Sequence, residues 1–517
     1  MKAYFVLFFA VFSPLFSAFG QFQVQLSNSE KVENPVNYPL YAYYPDGHIS
    51  VLPDEKSGYI MFWSEFESHR SVGNSQFVED QTMLEPSNAV FGKRGNFNNW
   101  DNGGSWLMSV FRKEGNQFIG FYHAEDHWYP HTDNDIAWKS LAVTYSTDAG
   151  KTWAIGKQII TSPSAKPSAP TWGGSGDCCV VWDHINKRWM CYYQENWILM
   201  AVSTDPNGAP GTWKKYYNGA FTSDGLGGQH SKLPGLENAA GGNPSVHWNT
   251  YLQKWVMVWH GWAPAVIYIA SSADGITWDT PQSIISSEIV SGGKTWYPTI
   301  IGNTDVEAGQ IAKIYYADIT NNFSSRVFRS RTITFIDSNN TASAIAQIDQ
   351  PLNGSTITMN MQEIKAGIKN IKAAISKAEF YVNGALVGTD SSFPYKIKWQ
   401  PAAKGNYTLK VVFTDKNGTI IETATINTLA DSNTRVKEID DENFLLYPCP
   451  ASDYIVLDKL PIGKKVIQIY NSNQQLIFET ISFDQMKNLN ISEFAKGMYI
   501  LKILTDKSVL SRKIIKQ

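Results

Sequence analysis

Four cysteines in 517 residues are too few, and Cys178, Cys179, Cys191 and Cys449 too unevenly spaced, for a disulfide framework. Cys178 and Cys191 fall on neighbouring strand candidates and could pair, but two buried thiols are the expected state. The chain contains no Cys-x-x-Cys pair, which argues against structural zinc. Net charge is scarce as well: 44 basic against 47 acidic side chains leave −3, no field to draw the chain to nucleic acid. Long apolar runs are missing beyond the N-terminus. There, MKAYFVLFFAVFSPLFSAFG sets Lys2 ahead of an apolar stretch from Ala3 to Phe16, with small residues at Ala18 and Gly20. This is the layout of a signal peptide over residues 1–20, cut after Gly20. The run falls short of the roughly 20 apolar residues a membrane span needs, and no later segment approaches that length, so a mature chain without a transmembrane segment is expected.

What is abundant is aromatic surface: 13% of residues, with 18 Trp, many beside Gly, Asn and His rather than in apolar runs. Either they pack repeated strands or they offer flat faces to a ligand. The length implies two to four domains of roughly 100 to 200 residues, and a repeat occupies residues 35–335. Five apolar runs carrying Trp or Tyr and ending in polar clusters recur: YIMFWSE from Tyr59, FIGFYHAED from Phe118, WMCYYQENW from Trp189, WVMVWHGW from Trp255 and IAKIYYADI from Ile311. Such a period predicts one small sheet per repeat.

Three of these runs are followed by YSTDAGKTW, STDPNGAPGTW and SSADGITW, ending at Trp153, Trp213 and Trp278. These resemble the Asp-box, Ser-x-Asp-x-Gly-x-Thr-Trp, of sialidase-like and related carbohydrate-active β-propellers. The first matches fully through Ser146, Asp148, Gly150, Thr152 and Trp153; the third lacks one residue before Gly275 and the second carries an insertion. Asp and Gly suit a tight turn between the third and fourth strands of a blade, with Trp packed between sheets, so Asp148, Asp205 and Asp274 are read as structural. The expected fold is all-β: a propeller of five blades, six being the competing count, followed by an Ig-like β-sandwich and a small C-terminal β-sandwich.

Residues 336–345 are rich in Ser, Asn, Thr and Ala and read as a linker. Residues 346–430 alternate like strands, with a hairpin signal at Asn383-Gly384, and resemble bacterial Ig-like modules that space or stiffen secreted polysaccharide-active proteins. Residues 445–517 resemble the C-terminal sorting domain of the type IX secretion system of Bacteroidota. The matching residues are Tyr447-Pro448, Pro450-Ala451-Ser452, the strand Val466 to Tyr470, Lys496-Gly497-Met498-Tyr499 and Lys513-Ile514-Ile515-Lys516. Cys449 departs from the usual Asn and Asn473 from the common Gly. The resemblance implies the type IX machinery as a partner, export across the outer membrane, and release or surface attachment; a monomer is expected.

In a propeller, loops leaving the second strand of each blade and loops entering the first share a rim opposite the Asp-box turns. That rim collects Glu65, then His123 with Glu125 and Asp126, Glu195 with Trp197, His260 with Trp262, and Asp318. Asp46, Asp177, Glu237 and Tyr297 join them from the approaches to first strands. Paired carboxylates suit glycoside hydrolysis, one protonating the leaving oxygen while another serves as base or nucleophile. Trp128, Trp197 and Trp262 suit stacking on sugars. The pattern resembles the five-bladed arabinanase, xylosidase and invertase-like glycosidases, although the Trp-x-Asn-Asp-Pro and Arg-Asp-Pro motifs of the last group are missing. The resemblance implies Asp46 as base, Glu195 or Glu237 as acid, and Glu125 or Asp126 tuning the acid.

Three alternatives stay open. A sialidase needs an arginine triad and a Tyr nucleophile, and arginine is scarce. A polysaccharide lyase would use His123, His260 or Tyr297 as base on an acidic sugar. A non-catalytic lectin would bond hydroxyls or a Ca²⁺ ion with the rim acids. No cofactor is called for, and whether Ca²⁺ is bound is left open. The stretch GFYHAEDHWYPHTD sets His123, His127 and His131 four apart, a helical spacing, but strand alternation and Pro130 argue for a rim loop rather than a metal-binding helix.

Overall fold

The computed structural model describes residues 22–517 except 38–42, 55–57, 66, 95–97, 129–135, 320–325, 338, 432–443, 449, 461–464, 472–475, 483–485 and 506–508. The signal-peptide segment, His131 and Cys449 lie outside the described residues. Five antiparallel sheets follow one another from Ser50 to Ile336. Their second strands are Gly58–Glu65, Gln117–Asp126, Arg188–Gln194, Lys254–Gly261 and Ile311–Ile319, the five recurrent aromatic runs. Their first strands are Ser50–Asp54, Gly104–Glu114, Gly176–Asp183, Gly241–Asn249 and Lys294–Ile301. The outermost strand of the fifth sheet comes from the other end of the domain: Gln23–Leu26 pairs antiparallel with Arg326–Ile336 and ties the N-terminus to the last sheet.

Apolar cores join sheet one to two, two to three, three to four, four to five, and five back to one. The sheets therefore close a ring. Four of the first strands are sheet edges, and the remaining one, Gly241–Asn249, is flanked by Glu307–Ala308 only at Trp248 and Asn249; an unpaired buried amide on such a strand is costly. The sequence answers with small acceptors at equivalent positions. Ser50 accepts from the Val110 amide (3.0 Å), Ser109 from Val180 (2.9 Å), Cys179 Sγ from Val246 (3.3 Å) and Thr299 from Ile49 (3.2 Å). Cys179 thus serves the ring closure. Cys178, Cys179 and Cys191 are all buried free thiols, as expected.

The three Ser-x-Asp turns join third to fourth strands. Asp148 Oδ1 accepts from the amides of Lys151 (3.0 Å) and Thr152 (2.9 Å), and Asp274 Oδ1 from those of Ile276 and Thr277 (2.8 Å each). Each turn's Trp packs on an aromatic ring of the preceding sheet, with centroids 5.8 Å apart in Phe62–Trp153, Phe121–Trp213 and Tyr192–Trp278. Such contacts add about 0.5–1.5 kcal/mol each beyond area burial. The acids of these turns are spent on backbone bonds.

Beyond the ring, Ile345–Gln350 to Ile426–Ala430 form two facing sheets over one core. Asn383 (φ 49°) and Gly384 (φ 79°) make the two-residue hairpin between Ile375–Val382 and Ala385–Asp390, the left-handed pair that a tight hairpin demands. This module docks on the ring. Buried Gln310 donates to the carbonyl of Ile371 (2.8 Å) and accepts from its amide (3.1 Å). Phe393 meets Phe77 edge-on at 5.7 Å, and Lys396 pairs with Asp80 at 2.9 Å. Two sheets from Leu445–Tyr447 to Val509–Lys516 form the last domain around its own core. No helix among the described residues is long and apolar enough to cross a membrane.

Candidate active site

The first strands enter the ring through irregularities. The pairing register slips between Leu107 and Ser109, Gly176 and Cys178, Gly242 and Ser245, and Trp296 and Thr299. In the last three sheets the slip holds a residue in the left-handed region: Asp177 (φ 33°), Asn243 (φ 48°) and Tyr297 (φ 56°). Non-glycine residues there cost about 1–3 kcal/mol, and a bulge re-aims the side chain it carries. All three line one cavity of ≈ 840 Å³. Close approach inside it depends on Gly242, where a Cβ would stand 1.6 Å from Gln194 Oε1.

A chain of polar contacts crosses the cavity wall. Arg326, whose side chain is 2% exposed, donates through Nη1 to the carbonyls of Tyr43 (2.7 Å) and Pro45 (2.9 Å) and to Asp46 Oδ1 (3.2 Å). Burial pushes the Asp46 carboxyl above the usual carboxylate range. Arg326 and a hydrogen bond from Tyr297 oppose the rise, and the Asp177 charge adds to it. Burial and the Asp46 charge hold the Tyr297 phenol well above its ordinary value, so it remains a donor. Gln194 donates to Asp177 Oδ2. The Asp177 amide donates to His123 Nδ1 (2.8 Å), which leaves Nε2 facing Glu125 Oε1 at 3.4 Å. His127 Nε2 lies 3.0 Å from the other oxygen of Glu125. Burial raises the Glu125 carboxyl, but hydrogen bonds from His123 and His127 outweigh it and hold the group at about 2. Glu125 is thus an anion that orients two imidazoles and has no proton to give. Glu195 accepts from the hydroxyls of Ser162 (2.6 Å) and Ser175 (2.8 Å).

An aromatic cluster adjoins these groups through Tyr297, which meets His260 edge-on at 6.1 Å and Trp296 at 5.9 Å. The ring of His260 stacks on Trp296 (4.9 Å, 15°) and meets Trp262 edge-on (4.7 Å). Burial, with the Lys139 and Lys294 ammoniums, pushes His260 down to about 3. Trp262 is 39% exposed and Trp172 55%, both at the cavity.

Of the residues singled out in the sequence, the cavity gathers Asp46, Glu125, Glu195, His123, Asp177, His260, Trp262 and Tyr297, together with Glu65. Five others do not line it. Asp126 is drawn away into an ion pair with Lys166 (2.7 Å). Trp128 is buried, donating to the Pro167 carbonyl (2.8 Å) beneath the Lys166 ammonium. Trp197 packs against the core between sheets two and three, with Lys232 Nζ 3.1 Å from its ring centroid. Glu237 turns back to accept the Gly235 amide (2.9 Å), on an exposed turn ahead of its strand. Asp318 is fully buried, bound to Ser287 and Arg329. Sequence reasoning missed Arg326, Lys139, Gln194, Asn243, Trp106, Trp172 and Trp296. Asn243 and Trp296 had a signal: both sit where first strands begin, as Asp177 and Tyr297 do.

A closed ring of sheets with an acid-lined cavity, followed by two β-sandwiches, defines the class: a multidomain all-β protein. Residues 345–411 match the bacterial Ig domain, and residues 445–517 match the secretion system C-terminal sorting domain. The chain is therefore an exported protein, secreted or attached at the cell surface, and its tail is addressed to the secretion machinery. Among curated protein sequences none matches it. Of solved structures, it is similar to Zg3597, a family 117 glycoside hydrolase of Zobellia galactanivorans: identity is 11% and TM-score 0.39, over 62% of this chain and 93% of that one. It is also similar to the GH43_1 enzyme of Xanthomonas citri (11%, TM-score 0.36, 58% of this chain and 91% of that one). A third likeness is to the fibronectin(III)-like modules of Clostridium thermocellum CbhA, at 32% identity and TM-score 0.17, over 17% of this chain and 98% of that one.

Proposed function

We propose that this protein is a secreted glycoside hydrolase acting on a poly- or oligosaccharide, with the ring of residues 35–335 as its catalytic domain. The observation that carries this reading is the convergence of Asp46, Asp177 and Glu195, from two sheets, on one cavity faced by Trp172, Trp262 and Trp296. Asp46, fixed by Arg326 and Tyr297, is the base that takes a proton from water or attacks directly. Glu195, held by two hydroxyls, protonates the leaving oxygen. The Asp177 charge adds to the burial that keeps the Asp46 carboxyl high. Glu125, expected from the sequence to tune the acid, in this reading fixes His123 and His127.

The other readings have less support. A lyase base must lose its proton readily, whereas the Tyr297 phenol is held well above its ordinary value and His260, at about 3, is a weak base. A sialidase requires three arginines on the substrate carboxylate, and Arg326 is the one arginine among the described residues lining the cavity. The test is a screen of the purified protein against plant and algal polysaccharides, following new reducing ends and product anomers by NMR. Ultraviolet-absorbing unsaturated products would replace the hydrolase with a lyase. Binding with no turnover on any substrate would leave a lectin.

A further inference from the structure

The cavity combines its acids with a cation that none of them neutralises. Lys139 is the second residue of the third strand of sheet two, Trp138–Ser146, opposite Glu125 in the pairing register. Its side chain lines the cavity, with Nζ 5.7 Å from the centroid of the exposed Trp172 ring. Among the described residues its ammonium makes no ion pair and no hydrogen bond. The contrast with Arg326 is sharp, since that cation is consumed by two carbonyls and Asp46. Lys294 sits over the Trp296 ring at 4.8 Å, and both lysines act electrostatically on His260.

Three more polar groups are buried here without a partner in the protein. They are Trp106 Nε1, Asn243 Nδ2 and the two ring nitrogens of His260, in side chains 7%, 6% and 1% exposed. Buried donors left unmatched are expensive, and the indole, the amide and a neutral imidazole each present an N–H. Together with Lys139 they form a set of donors that calls for a ligand rich in acceptors and carrying negative charge. Glu125 stands beside Lys139 across the strand pair but is engaged by His123 and His127, and the Asp46 and Asp177 carboxylates would repel an anion, so the anionic group belongs on the Trp172 face of Lys139, with the scissile bond toward Asp46.

We propose that this cavity takes an anionic glycan, a sulfate ester or uronate carboxylate on one sugar being held by Lys139 beside Trp172 and His260. The proposal rests on the glycosidase reading of the same site and names its substrate class. Charge-assisted bonds to an ammonium are the strong members of such a donor set, and a salt-sensitive preference follows.

The test uses the secreted full chain and calorimetric binding of three oligosaccharide sets: κ-carrageenan-derived (sulfated), oligogalacturonate (carboxylated), and neutral agaro- and arabino-oligosaccharides. The expected result is that one anionic set binds about tenfold or more tightly than the neutral sets, weakening with added salt. Lys139→Met, which keeps the aliphatic stem, should erase that preference, and Lys139→Arg should retain most of it. Which anionic set binds distinguishes sulfate from carboxylate. Equal binding of neutral and anionic sets, binding of neither anionic set, or an unchanged preference in Lys139→Met overturns the inference. Failure of the hydrolase reading is recorded separately, as no new reducing ends from any set whatever its affinity.

Discussion

Replacing Arg326 with Met tests the electrostatics of the site without requiring a substrate. The guanidinium is buried and, among the described residues, is the one cation paired with Asp46. Removing one member of a buried pair costs about 3–5 kcal/mol, because the remaining charge is stranded. At about 2 °C per kcal/mol for a domain of this size, the melting temperature should fall by roughly 6–10 °C at neutral pH. The sign with pH follows from Asp46, whose folded carboxyl already lies above its ordinary value through burial, with Arg326 the first force opposing the rise. A group raised on folding adds stability below its unfolded pKa and loses it as pH rises through the folded one. Without Arg326 the folded value climbs further, because the nearest opposing charge is gone. The penalty of the substitution should therefore be largest at neutral pH and shrink on acidification as Asp46 takes up a proton. Urea unfolding from pH 4 to 8 measures it, and a double-mutant cycle with Asp46→Asn assigns it. A penalty that is flat with pH, or equally large in the Asp46→Asn background, would refute the pairing as the source.

The remaining expectations are simpler. Glu125, held at about 2, contributes stability above its unfolded pKa that is lost as pH falls through about 2. His127→Ala should raise the carboxyl toward its ordinary value and move acid unfolding to higher pH, as ¹³C NMR of labelled Glu and acid titration would record. Gln310→Ala leaves the Ile371 amide and carbonyl without their partner and should cost about 1–3 kcal/mol. It should also speed proteolysis between the ring and the Ig-like module; unchanged cleavage would mean that this contact does not hold the two together.

Much of the architecture was legible because it repeats. The five aromatic runs each became a second strand, and Asn383-Gly384 became its hairpin, since local propensity and tertiary structure agree there. The site was legible in part where a side chain lies at the end of a second strand, as with Glu125, Glu195 and His260, and in part at the approaches to first strands, as with Asp46, Asp177 and Tyr297. Glu237 and Asn243 show the limit. Both precede or open the same first strand, but the slip between Gly242 and Ser245 decides which one reaches the cavity, and no sequence period encodes a bulge. Trp128 and Trp197 were drawn into packing by Lys166 and Lys232, residues whose proximity the chain order conceals. Arg326 stands 280 residues from Asp46, and only closure of the ring between its last and first sheets brings them together.

The hydrolase claim stands most directly on Asp46. On a polysaccharide that the wild-type protein cleaves, Asp46→Asn should lower kcat by about 10²-fold or more while calorimetry still detects binding, with NMR showing saturated reducing-end products from the wild type. Turnover undiminished by Asp46→Asn, or unsaturated products from the wild type, would contradict the account.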